Sequence, residues 1–184
     1  PFVTIDSHQG LADDYVRALL QTREGEILIG TSRGMDRWRD EQVTNSPELS
    51  AHSVLSIAQD QAGDIWMGTY STGLLRWRDG VLLEQMTAGD GLPANQVRAV
   101  HESRDGTLWI GTSRGLLRRK DGTSLVLGEK DGLPREFVLS LFEASDDSLW
   151  VGTSNGAGRI RGDEITAIDL SAMDGAQDVF GMHE

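Results

Sequence analysis

Cysteine is absent from the 184 residues, which excludes disulfide frameworks, thiolate zinc sites and cysteine nucleophiles. The absence is compatible with an oxidising compartment. No apolar run reaches the roughly 18 residues that span a bilayer, so no part of this segment is expected to insert into a membrane. The first ten residues lack the basic, apolar and small-residue order of a signal peptide. Positive charge is scarce, with 17 Lys and Arg against 29 Asp and Glu. The resulting net charge of −12 repels phosphate backbones, so nucleic acid is not an expected partner. Also missing is any 3.6-residue apolar period over a helical length. His8, His52, His101 and His183 have no metal-ligand spacing, and no nucleophile elbow or phosphate loop occurs. No metal and no cofactor are expected.

What is present is repetition. Ile27-Leu28-Ile29-Gly30-Thr31 returns as Ile65 to Thr69, Leu108 to Thr112 and Leu149 to Thr153, with Gly30, Gly68, Gly111 and Gly152 spaced by 38, 43 and 41 residues. Val16, Val54, Val97 and Val138 open short apolar runs at the same three spacings. Two markers that drift together define one structural unit, copied four times.

Each copy divides into four short strands. In the third, Val97 to His101, Thr107 to Thr112, Leu116 to Lys120 and Ser124 to Leu127 are separated by turns at Asp105-Gly106, Arg114-Gly115 and Asp121-Gly122. The middle strands are apolar on consecutive positions, so both of their faces must be covered. A period near 41 with four strands and doubly buried middle strands predicts all-β propeller blades, whose stacking covers both faces. Blades are expected at about 12–47, 50–86, 93–128 and 134–169. Residues 1–11 are expected to be the outer strand of a preceding blade, and 174–184 the start of a following one, with Val179 falling 41 after Val138. The whole reads as a slice of a larger propeller.

Gly91-Leu92-Pro93-Ala94-Asn95-Gln96-Val97, then Asp105-Gly106-Thr107-Leu108-Trp109-Ile110-Gly111-Thr112 and Gly115-Leu116-Leu117-Arg118, resembles the two-component regulator propeller repeat. The second and fourth copies are similar, and the resemblance covers nearly the whole chain. Departures are Leu28 at the tryptophan position, Asp14, His52 and Glu136 at the position of Asn95, and Arg119 where Trp38 and Trp77 hold an aromatic. The resemblance implies the periplasmic sensory part of a bacterial membrane receptor. In that family the output module is a histidine kinase, a hybrid kinase-regulator or a diguanylate cyclase.

Trp66, Trp109 and Trp150 occupy one repeat position inside apolar strands, so they read as packing between blades rather than as a sugar platform. Candidate ligand-binding residues come from loop placement. In a four-stranded meander the connection into the first strand and the hairpin between the second and third emerge on one rim. That rim carries Asp14, His52, Asn95 and Glu136 on the connections and Arg33, Tyr70, Arg114 and Asn155 on the hairpins. Arg33 and Arg114 are equivalent, and two readings stay open for them: an anionic or sugar-acid ligand, or pairing with a carboxylate such as Asp14 or Glu136.

The expected function is non-catalytic sensing of a small molecule or saccharide. One alternative is an enzyme of the streptogramin-lyase or hydrolase type with His52 or His101 as base. Another is an interaction scaffold, with self-association through open blade edges.

Overall fold

The computed structural model describes residues 4–168, 170 and 178–182. Phe2, Val3, Asp174, Gly175 and His183 lie outside the described residues. Four antiparallel sheets of four strands follow one another along the chain, each an up-and-down meander. Blade 1 contains β1 (Val16–Gln21), β2 (Ile27–Thr31), β3 (Gly34–Arg39) and β4 (Gln42–Asn45). Blade 2 contains β5 (Val54–Gln59), β6 (Ile65–Thr69), β7 (Leu74–Arg78) and β8 (Val81–Met86). Blade 3 contains β9 (Val97–Glu102), β10 (Leu108–Thr112), β11 (Gly115–Lys120) and β12 (Thr123–Leu127). Blade 4 contains β13 (Val138–Glu143), β14 (Leu149–Thr153), β15 (Gly156–Arg161) and β16 (Glu164–Ile168).

The core lies between blades. Leu28, Met35 and Leu49 pack against Val54, Ile65, Met67, Leu75 and Trp77 of blade 2. Trp66, Leu74 and Leu92 meet Val97, Leu108, Ile110 and Leu117 of blade 3, and Trp109, Leu116 and Leu133 meet Val138, Leu149, Val151 and Ile160 of blade 4. One recipe thus serves all three interfaces, which is why the middle strands are apolar on both faces.

The two repeated phrases touch each other. A Cβ on Gly30 would stand 2.8 Å from Val54 Cγ1, and one on Gly68 2.7 Å from Val97 Cγ1. At Gly111 the distance to Val138 Cγ1 would be 2.5 Å. Each glycine is therefore the seat of the next blade's first valine, and any side chain there would wedge the blades apart. Identical drift of the two markers is a contact constraint.

Ahead of each blade the chain makes a one-turn 3-10 segment: Ser7–Gln9, Pro47–Leu49, Ala88–Asp90 and Glu129–Asp131. Gly10, Gly91 and Gly132 close three of these turns with φ of 108°, 105° and 108°, a left-handed geometry that costs other residues energy. The following Leu11, Leu92 and Leu133 are buried.

Residues 4–11, the described part of the segment expected as an outer strand, hold the 3-10 turn Ser7–Gln9 and no strand. Val179 accepts a hydrogen bond from Ser140 Oγ (2.7 Å) and donates one to Thr153 O (3.1 Å), seated over Gly152, but residues 178–182 form no strand. Trp150 is only half-buried, unlike Trp66 and Trp109, because no described sheet stacks on its face.

Candidate functional site

The threonine of each Gly-Thr phrase builds the rim. Thr31, Thr69, Thr112 and Thr153 are wholly buried. Their hydroxyls donate to the carbonyls of Gly34, Gly73, Gly115 and Gly156 across the hairpin. The same oxygens accept the backbone N–H groups of Arg33, Thr72, Arg114 and Asn155. Each hairpin is thus stapled from beneath while its tip points outward. The hairpins are also tied to neighbouring connections: Tyr70 N donates to Ser53 O, Gly73 N to Asn95 O and Gly115 N to Glu136 O. All eight residues expected on one rim stand on these two sets of segments, and in blades 2 to 4 those bonds tie hairpins to connections.

Their individual states differ. Asp14 accepts the N–H of Ser7 (2.6 Å) and its hydroxyl (3.0 Å), and Asn95 Oδ1 accepts the N–H of Ala88 (2.7 Å). These two side chains brace the inter-blade turn seven residues upstream, so their oxygens are engaged. Glu136 turns its carboxylate toward Gly128, and Asn155 is half-buried. His52 lies against the blade-2 hairpin, with Nδ1 2.7 Å from Thr72 Oγ1. Thr72 Oγ1 gives its proton to Thr69 Oγ1, which gives its own to Gly73 O, so the imidazole supplies the proton of that first contact. Burial holds the His52 pKa below its ordinary value of 6.5.

Arg33 and Arg114 are exposed, and neither pairs with Asp14, Glu136 or any other carboxylate among the described residues. Sequence reasoning missed two neighbours. Arg17 and Arg98 are the second residues of β1 and β9, where the register slips by a β-bulge. Arg17 Nε lies 3.5 Å from Ser32 Oγ and its guanidinium 5.6 Å from the Tyr15 ring centroid. The Arg98 guanidinium stands 5.1 Å from the Phe137 ring centroid, and its Nε is buried without a hydrogen-bond partner among the described residues. The signal was available: Arg17 and Arg98 recur at the same 81-residue separation as Arg33 and Arg114.

The opposite ends of the blades are occupied by internal bonds. Arg23, Gln61 and Arg104 stand at one repeat position, and each donates to carbonyls of the next blade's first hairpin. His101 sits near that end, its Nε2 3.4 Å from Glu143 Oε2, so His52 and His101 are at opposite ends of the blades. A cavity of about 690 Å³ lies between Phe142, Asp146, Trp150, Arg159 and Met182. It is the face of blade 4 that corresponds to the covered faces of blades 1 to 3, a packing surface away from the rim. Among the described residues no cluster of His, Asp and Glu could hold a metal ion.

Comparison with solved structures places the fold. The extracellular domain of a hybrid two component system from B. thetaiotaomicron superposes with a TM-score of 0.78 at 18% identity, covering 91% of this chain and 25% of that one. A second such domain from the same organism gives 0.75 at 24% identity, with coverage of 88% and 22%. Virginiamycin B lyase from Staphylococcus aureus gives 0.69 at 17% identity, with coverage of 85% and 56%. The chain therefore spans about a quarter of the two-component domains it matches. Among curated proteins none matches it. Residues 10–33, 48–71, 91–114 and 132–155, together just over half of the sequence, match the two component regulator propeller family. Each match runs from the inter-blade turn to the stapled hairpin, the span that builds the rim, and the chain belongs to that family.

Proposed function

We propose that this chain is a non-catalytic, ligand-binding segment of a sensory propeller, carried outside the cytoplasm by a bacterial membrane receptor. The observation that carries the reading is the rim. Four buried threonines hold four hairpins in one way, while the tips they display, Arg33, Tyr70, Arg114 and Asn155, differ in charge, size and shape. A constant scaffold under variable tips is the arrangement of a binding surface. Likeness to extracellular domains of two-component systems supports the location and the sensory role. No helix among the described residues is long and apolar enough to cross a membrane.

The test is a receptor containing these blades, with its output read in cells. Removal of the four blades is expected to abolish the response to the inducing ligand. An unchanged response overturns the reading.

A lyase reading draws on the resemblance to virginiamycin B lyase. Against it stands the separation of the two candidate bases, His52 beside Thr72 on the rim and His101 beside Glu143 at the other end. Turnover of a streptogramin by this chain, lost in His52→Ala, would favour it.

A further inference from the structure

The arginines are not evenly used. Among the described residues, Arg37, Arg39, Arg76, Arg78, Arg104, Arg118, Arg119, Arg135, Arg159 and Arg161 each have a carboxylate partner. Arg23 donates instead to the carbonyls of Asp60 and Gln61. The remaining four are Arg17, Arg33, Arg98 and Arg114, and all four stand on the rim of blades 1 and 3. In a chain with 29 acidic residues and 15 arginines, a carboxylate is easily found, so this clustering is informative. Acids do stand nearby, but they are turned elsewhere. Asp13 accepts the N–H of Tyr15, Asp14 braces Ser7, and Glu136 faces Gly128.

We infer that this rim binds an extended acidic saccharide, with Arg17 and Arg33 taking one carboxylate or sulfate and Arg98 and Arg114 another. The inference rests on the rim being the ligand-binding face and names the ligand's chemistry. Guanidinium forks match planar or tetrahedral oxyanions in two-point geometry. The bulges at Arg17 and Arg98 break the strand alternation at the rim end of β1 and β9. Stacking on Tyr15 and Phe137 limits the freedom of two of the forks, and Arg98 Nε has a donor still to satisfy. Blade 2 separates the two pairs, so a single small anion cannot occupy both. Tyr70, 56% exposed on the blade-2 hairpin, stands between them as a flat apolar surface of the kind a pyranose ring covers. The overall charge of −12 opposes long polyanions of every kind, nucleic acid among them, so the fit is to a short ligand with two separated acidic groups.

Isothermal titration at low salt tests this with oligogalacturonate for carboxylates, heparin oligosaccharides for sulfates, maltooligosaccharide as the neutral control and a single-stranded oligonucleotide. At least one acidic saccharide is expected to bind, more weakly as salt rises, with the neutral sugar silent. Arg33→Ala with Arg114→Ala is expected to weaken binding about tenfold or more, and Arg17→Ala with Arg98→Lys similarly. Among the described residues neither Arg33 nor Arg114 has a side-chain hydrogen bond or ion pair to lose, so urea midpoints should stay in place. The inference is overturned if neither acidic saccharide binds, if the arginine variants bind as tightly, or if the oligonucleotide binds best. Neutral-sugar binding lost in Tyr70→Ala would overturn the anionic ligand alone and leave the sensory reading standing; an unaltered receptor output after blade removal would overturn that reading instead.

Discussion

A threonine hydroxyl buried beneath a hairpin has one proton to give and lone pairs to fill. Thr112 gives its proton to Gly115 O at 2.9 Å and receives the N–H of Arg114 at 3.1 Å, so both hairpin groups are satisfied without water. Thr112→Val keeps the shape and removes both bonds. It is expected to lower stability by about 1–3 kcal/mol, read as a shifted urea midpoint at unchanged slope. His52 makes a pH-dependent prediction at the same scale. Its folded pKa is depressed by burial, so the unfolded chain takes up this proton first as the medium acidifies. The stability due to neutral His52 is therefore complete above about pH 6.5 and is lost as pH falls through that value toward the folded pKa. His52→Gln should show a smaller loss of urea midpoint than the parent between pH 7.5 and pH 5. An equal loss in both would assign the acid sensitivity to other groups. The sequence named His52 as a rim residue but carried no trace of its partner. Thr72 is twenty residues away, and its hairpin is one residue longer than the others.

Among elements, the governing contact is glycine under valine. Gly111→Ala puts a Cβ 2.5 Å from Val138 Cγ1, and neither β10 nor β13 can yield without opening the blade 3–blade 4 interface. A loss of about 1–3 kcal/mol is expected by urea unfolding, and Val138→Ala in the same chain should recover part of it. At the other end of the blades the latch is built by different side chains in each copy. Arg104 donates to Ala144 O at 2.7 Å and lies beside Glu143 and Asp147, while Gln61 at the matching position reaches Ser103 O and Arg104 O. Arg104→Ala is expected to speed amide exchange at residues 144–147, with a small stability change because half the side chain is in water. The strands and their seams were legible because Gly, Val and Thr repeat as residue types. The latch was not, since Arg23, Gln61 and Arg104 share a task and no chemistry that a motif would capture. Asn95 was legible as a motif position, but the bond by which its oxygen braces Ala88 was not.

At the scale of the molecule, stability is a chain of nearest-neighbour interfaces, and a face with no neighbour is left in water. On β5, β9 and β13 the residues Ile57, Val100 and Leu141 pack into the interfaces between blades. Leu19, their equivalent on β1, is 67% exposed, and Tyr15 and Val16 beside it are 70% and 42% exposed. On the far side Trp150 and Phe142 line the open face of blade 4. These two surfaces are the two halves of the interface that recurs three times inside the chain, so they are complementary to each other rather than to themselves. We propose that copies of this chain associate face to tail, first blade against fourth, and that two copies supply about eight blades, within the range of closed rings. Sedimentation and light scattering should then give a mass that rises from monomer to dimer with concentration. Leu19→Lys should hold the chain monomeric without changing its circular dichroism, since Leu19 is 67% exposed in its own blade. A monomer at high concentration in the parent, or a dimer that survives Leu19→Lys, would show that the uncovered faces are not the contact.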